Sequence, residues 1–227
     1  MSLEGNDAPA TQSGAASDGS AALDGLTIDT SIQLNDDATS VDGDGAVFEN
    51  GVLTISKAGT YELKGTLSNG QVVVSTDDDG KVKLLLNGVN IHSETTAPLF
   101  IENSPKETKI LLAKGSDNAL SDTARTAPDD DSDDLTAVIY SKDDLEFSGT
   151  GKLTVEANYN KGIFSKDDLQ ISGGDIMVTS MDDALRGKDS VEISGGTLTL
   201  QSGGDAIRTS NEEKGDLAVS GGSITIE

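Results

Sequence analysis

The chain has 227 residues, a mass of 23.3 kDa and a formal net charge of −24, from 16 basic against 40 acidic side chains. So negative a field excludes nucleic acid as a natural partner, because phosphate binding needs clustered Lys and Arg, while the length suffices for a sizeable core. Cysteine is absent, His92 is the only histidine, and no apolar run approaches the roughly 20 residues that cross a bilayer, so thiolate and zinc sites, His-dependent nucleophiles and membrane-spanning helices find no support.

Residues 1–24 hold Gly, Ala, Ser, Asp and Thr with almost no large apolar side chain, and read as a flexible linker. Met1-Ser2-Leu3 reads as an expression scar. A removed signal peptide followed by such a tether fits an extracellular or cell-surface protein. Residues 25–227 read as one domain, whose last strand, Ser223–Glu227, leaves room for a trimmed coil or cap.

From Leu26 onward short alternating runs bounded by turn residues predict strands, for example Val52–Ile55, Val72–Val74, Val82–Leu86 and Lys109–Leu112. No stretch sustains a helical period, so the expected class is all-β. Asp42-Gly43-Asp44-Gly45 lacks the ligand spacing of a calcium loop and reads as a turn. Asp129–Asp134 reads as a loop interrupting one repeat.

The second half repeats itself. Ser141-Lys142-Asp143-Asp144-Leu145 recurs 24 residues later as Ser165-Lys166-Asp167-Asp168-Leu169, and more weakly 22 residues further on from Gly187 to Val191. A Ser-Gly turn follows each copy, at Ser148, Ser172 and Ser194, and recurs 26 residues further on at Ser220. Upstream lie four matched triplets, ending in Tyr140, Phe164, Arg186 and Arg208. Each unit of about 22–26 residues holds three short strands and cannot bury its own apolar face, whereas stacked units can. The expected fold is a right-handed parallel β-helix with coils about 4.8 Å apart.

The run Ala137–Ile226, with Ala58-Gly59-Thr60-Tyr61, Leu86–Ile91 and Asn118–Asp122, resembles a family of bacterial carbohydrate-binding proteins, formerly a domain of unknown function. The resemblance covers most of residues 30–227. It implies a right-handed β-helix like that of pectin lyases, bound calcium, and association with cellulose or acidic sugars at the cell surface. Lyases with a similar Asp-Asp turn carry an acid three residues further on, where this chain has Arg186 after Asp183.

Stacking converts the repeats into columns. With Ile139, Ile163, Leu185 and Ile207 inward, Tyr140, Phe164, Arg186 and Arg208 point outward in one file, with Lys161 beside them. Rings suit the apolar faces of sugars and guanidinium forks suit carboxylates, so these five residues are the candidate ligand-binding set, with polygalacturonate favoured over cellulose. The alternative is that the rings cover neighbouring strands and the arginines pair with acids.

Asp183 above Asp205 sets like charges roughly 5 Å apart, a repulsion of about 1 kcal/mol in water and about 3 at an effective dielectric of 20. Calcium, a hard cation favouring oxygen ligands, answers that repulsion if held by Asn160, Asp182, Asp183 and Asp205; Asp144 and Asp168 on the Lys/Asp turns form a second candidate set. Countercharge from Arg186 and Arg208 is the competing account. No catalytic constellation stands out. The expected function is a non-catalytic, calcium-binding carbohydrate-binding or adhesion module for cell-wall polysaccharide. The alternatives are a calcium-dependent lyase, with Arg186, Arg208 or Lys161 as base, and a structural stalk.

Overall fold

The computed structural model describes residues 25–125 and 135–227; the expected linker over 1–24 and the acidic run Asp129–Asp134 fall outside them. Among the described residues there are strands, turns and bends, and no helix. From residue 97 onward the strands fall into three columns, visited in turn. The first holds Thr108–Leu112, Leu145–Gly149, Asp168–Ile171, Ser190–Ile193 and Asp216–Val219, each paired parallel with the next. The second holds Asp117–Asp122, Lys152–Ala157, Asp175–Ser180, Thr197–Ser202 and Ser223–Ile226, again parallel. The third runs from Leu99–Asn103 through Ala137–Ser141, Lys161–Ser165 and Leu185–Gly187 to Ile207–Thr209.

The first two columns meet in one strand. Val82–Ser93 pairs with Thr108–Leu112 through its first half and with Ala119–Asp122 through its second. The sequence predicted an end at Leu86, but only Asn87 and Gly88 interrupt the alternation. Gly88, at φ 85°, lets the backbone turn the corner without leaving the ladder. Gly59–Leu67 does the same one row earlier, with a register shift between Leu63 and Gly65.

The N-terminal end departs from the parallel rule. Thr30–Asn35 pairs antiparallel with Ser40–Asp42, and Ala46–Glu49 pairs antiparallel with Val52–Ile55. The segment Asp42–Gly45 is the turn between these hairpins, where Thr30 Oγ1 donates to the Asp44 carbonyl at 2.6 Å.

One apolar cluster runs from Ile32 to Leu200 through all three columns. Its layers follow the register: Leu145, Leu169 and Val191 stack in the first column, Val155, Val178 and Leu200 in the second, Ile139, Ile163 and Leu185 in the third. Burying each such side chain contributes about 1.5–3 kcal/mol, which no single row achieves alone. Asn118 adds a polar tie across three rows. Its Oδ1 accepts from the Gly88 and Val89 amides at 2.9 and 3.1 Å, and its Nδ2 donates to the Lys152 carbonyl at 2.8 Å.

The last row differs in burial. Leu217, Val219 and Ile226 are 52, 55 and 63% exposed, while Val191, Ile193 and Leu200, their partners one row earlier, are fully buried.

Candidate functional site

The third column fixes the first set of candidates. Phe100, Tyr140, Phe164, Arg186 and Arg208 are register partners on successive rows, so the outward file expected from the repeats is present. Its rings are nevertheless buried. Phe100, Tyr140 and Phe164 join Ala97 and Ala137 in a second small cluster, with Val73 and Leu135 packed against it. Ring centroids lie 5.8 Å apart for Phe100 and Tyr140 and 5.3 Å for Tyr140 and Phe164, the latter edge to face. Cations lie over these rings: Lys142 Nζ 5.5 Å from Phe100, Lys166 Nζ 5.8 Å from Tyr140 and the Arg186 guanidinium 5.0 Å from Phe164. Tyr140 and Phe164 therefore present no open ring face to a sugar, contrary to the expectation. They are packing residues in this conformation. Arg186 and Arg208 continue the file toward solvent.

The acidic corner lies beside those arginines. Asp183 is 1% exposed, its Oδ1 accepting the Asp205 amide at 3.1 Å. Its Oδ2 is buried without a hydrogen bond and stands 3.6 Å from Arg186 Nη1 and 3.8 Å from Arg208 Nη1. Arg208 Nη1 is also 3.8 Å from Asp205 Oδ2. Lys161 is buried, with Nζ 2.7 Å from Asp182 Oδ2 and 2.9 Å from Asn160 Oδ1. The three acids thus face three cations. This is the competing account of the Asp183–Asp205 repulsion. It also removes Lys161 from the ligand-facing set, because its ammonium is committed to Asn160 and Asp182.

The Lys/Asp turns make a second acidic file. The Asp168 amide donates to Asp144 Oδ1 at 3.2 Å, and Ser190 Oγ donates to Asp168 Oδ1 at 2.7 Å, so these carboxylates tie one row to the next. Asp143 Oδ2 accepts the Ser104 amide at 2.7 Å, although burial holds its pKa above the ordinary value. Burial also raises the pKa of Asp167, followed by repulsion from Asp144, Asp189, Asp143 and Asp168. Asp189 is held low by hydrogen bonds from Lys214 and Asn211.

Among the described residues no three His, Asp or Glu side chains converge as a metal-holding group. In the corner, Asp182 and Asn160 meet Lys161 while Asp183 and Asp205 meet arginines, so the oxygens expected to hold calcium face cations of the chain itself. The residues present do not fit a resident calcium ion there, and no step below runs through one.

Sequence reading missed a related corner in the same turn between the second and third columns, two rows earlier. Asp122 Oδ1 accepts the Asn158 and Tyr159 amides at 2.7 and 3.2 Å, while its buried Oδ2 lies 3.6 Å from Arg125 Nη1. Arg125 Nη2 donates to the Leu135 carbonyl at 2.6 Å, and its guanidinium stacks 3.9 Å from the Tyr159 ring. Burial raises the Asp122 pKa despite those amides, Arg125 and nearby His92. His92 itself sits between Ser121 Oγ, 2.9 Å from Nδ1, and Thr123 Oγ1, 3.1 Å from Nε2. The missed signal is Asp-x-x-Arg, which occurs at Asp122, Asp183 and Asp205.

Comparison with known proteins bears on this geometry. A family model described as carbohydrate-binding domain-containing protein matches residues 49–227. A relative of that same description from Acetivibrio thermocellus is 36% identical over 153 residues, 66% of this chain. That match spans about half, 53%, of the relative's length. The solved structure of the polysaccharide lyase-like protein from C. thermocellum, a gadolinium derivative, superposes with a TM-score of 0.81 at 36% identity, covering 88% of this chain and 82% of that one.

Proposed function

The chain belongs to the carbohydrate-binding domain-containing family, and from that membership we propose a non-catalytic module that holds acidic cell-wall polysaccharide. The observation that carries the reading is Arg186 and Arg208 on successive rows, beside one buried carboxylate. The side chains of Arg208 and Arg186 are 45% and 21% exposed, and Arg186 Nε is itself buried, so contact with a ligand falls to the terminal guanidinium nitrogens. A guanidinium has five N–H donors in a fixed fork that matches a carboxylate. Both arginines stand at ion-pair distance from Asp183 rather than in hydrogen bonds to it, so they retain donors for an incoming uronate. Rows about 4.8 Å apart suit a polymer lying along the column. Cellulose is the less favoured partner, because the rings that would serve it are buried.

The three parallel columns around one core support a right-handed parallel β-helix as the architecture. Among the described residues no helix is long and apolar enough to cross a membrane. A cell-wall ligand favours an extracellular or cell-surface location. Calcium enters this proposal as a variable of the binding assay.

One observation favours a second reading: the structural neighbour is a polysaccharide lyase-like protein. Lyase action requires a base that removes a proton next to the uronate carboxyl. Lys161 is buried in an ion pair, and arginine keeps its proton at any ordinary pH. Polygalacturonate retention on the immobilised protein, followed together with ultraviolet absorbance of unsaturated product, separates the two. Retention without product is expected. Product formation would establish the lyase, and no retention would leave a structural stalk.

A further inference from the structure

We infer that Asp183 is a positioning residue for the two arginines, and that Arg186 and Arg208 supply the positive charge a bound metal would otherwise bring, so that the site takes a glycan carboxylate without calcium. This rests on the binding reading above and specifies how it works.

Asp183 is the one acid of the corner that is buried, and its two oxygens do different things. Oδ1 is fixed by the Asp205 amide of the following row at 3.1 Å, which sets the carboxylate plane. Oδ2 then lies between guanidiniums of two consecutive rows, 3.6 and 3.8 Å away, and makes a hydrogen bond to neither. One fixed anion therefore aligns two forks along the column by field. A metal in this place would have to displace both arginines from Asp183 and Lys161 from Asp182, whose Nζ lies 2.7 Å from Oδ2. Phe164, beneath the Arg186 guanidinium at 5.0 Å, limits where that side chain can withdraw. The arrangement is complementary to a second carboxylate approaching from solvent on the Arg208 side, which would complete the hydrogen bonding that Asp183 leaves open.

The test uses the full chain stripped with EDTA, a short oligogalacturonate and its methyl ester. Calcium chloride alone is titrated calorimetrically into wild type and Asp205→Asn, a change at a side chain 64% exposed. The expected result is the same calcium heat for both proteins, and oligogalacturonate affinity that differs by less than about twofold between EDTA and calcium buffers. Asp183→Asn should lower the preference for the acid over the methyl ester about tenfold, whereas a purely structural defect would weaken both ligands alike. Should Asp183→Asn not fold, Arg208→Gln reads the same preference from an exposed position. Calcium uptake that Asp205→Asn abolishes, with binding lost in EDTA, would overturn the inference alone. No oligogalacturonate binding in either buffer would overturn the binding reading and this inference with it.

Discussion

Two corners of the molecule carry the same Asp-x-x-Arg spacing and use it differently. At Asp122–Arg125 the guanidinium is consumed by structure: it donates to the Leu135 carbonyl at 2.6 Å and lies over the Tyr159 ring at 3.9 Å. At Asp183–Arg186 the carboxylate again caps the backbone of the next row, but it is shared with Arg208, and neither guanidinium makes a hydrogen bond to its Oδ2. The difference comes from what lies beyond the arginine. Arg125 meets carbonyl oxygens, Thr96 at 3.4 Å as well as Leu135, whereas Arg186 meets a ring and a second arginine. A motif is therefore no site by itself. The donors left after folding decide whether it binds.

The largest effect that would break this comparison is on stability. Arg125→Ala should cost about 3–5 kcal/mol in urea unfolding, because it strands the Asp122 charge in a fully buried position. Arg186→Ala should cost less, about 1–2 kcal/mol, since Arg208 still faces Asp183. Equal costs would mean the two corners do the same job.

Binding should show the reverse order. Arg186→Ala and Arg208→Ala should each weaken polygalacturonate binding about tenfold, equivalent to roughly 1.4 kcal/mol, while Arg125→Ala leaves binding per folded molecule unchanged. Affinity electrophoresis checks all three.

Acid–base behaviour sharpens the contrast further. Burial raises the pKa of Asp122, so the folded state binds the extra proton and stability falls as pH rises from the unfolded value, about 3.9, through the raised folded one. Asp122→Asn should flatten the pH dependence of unfolding across that window. Asp36, Glu62, Glu107 and Asp189 have lowered values and act oppositely, losing stability as pH falls through their folded pKa. The smallest expected effect is at the turn file. Asp167→Asn should raise Tm by about 1–3 °C at neutral pH, because burial and four neighbouring carboxylates disfavour that charge.

Much of the fold was legible because repetition is written along the chain. Steps of 24 and 22 residues between Lys/Asp turns became the observed pairing of Leu145 with Leu169 and Leu169 with Val191. The same alignment placed Tyr140, Phe164, Arg186 and Arg208 in one file. It did not reveal that the rings are buried, since burial on an outer face depends on how Val73, Ala97 and Leu135, which lie outside the aligned repeats, pack against the file. Nor did it assign partners at the acidic corner. Asp182, Asp183 and Asp205 were visible as neighbours, but whether each oxygen meets a cation or a metal depends on a few ångströms of side-chain placement. Asp122–Arg125 escaped notice because its row departs from the repeat. Asp122 is in line with Ala157 and Ser180, three residues short of Asp183.

The most direct test of the account is calorimetric titration of polygalacturonate into wild type and the Arg186→Ala/Arg208→Ala double variant, both shown to unfold cooperatively at similar temperature. The account predicts saturable binding by the wild type that the double variant loses. Unchanged binding by the double variant would contradict it, and would place the glycan on another face of the molecule.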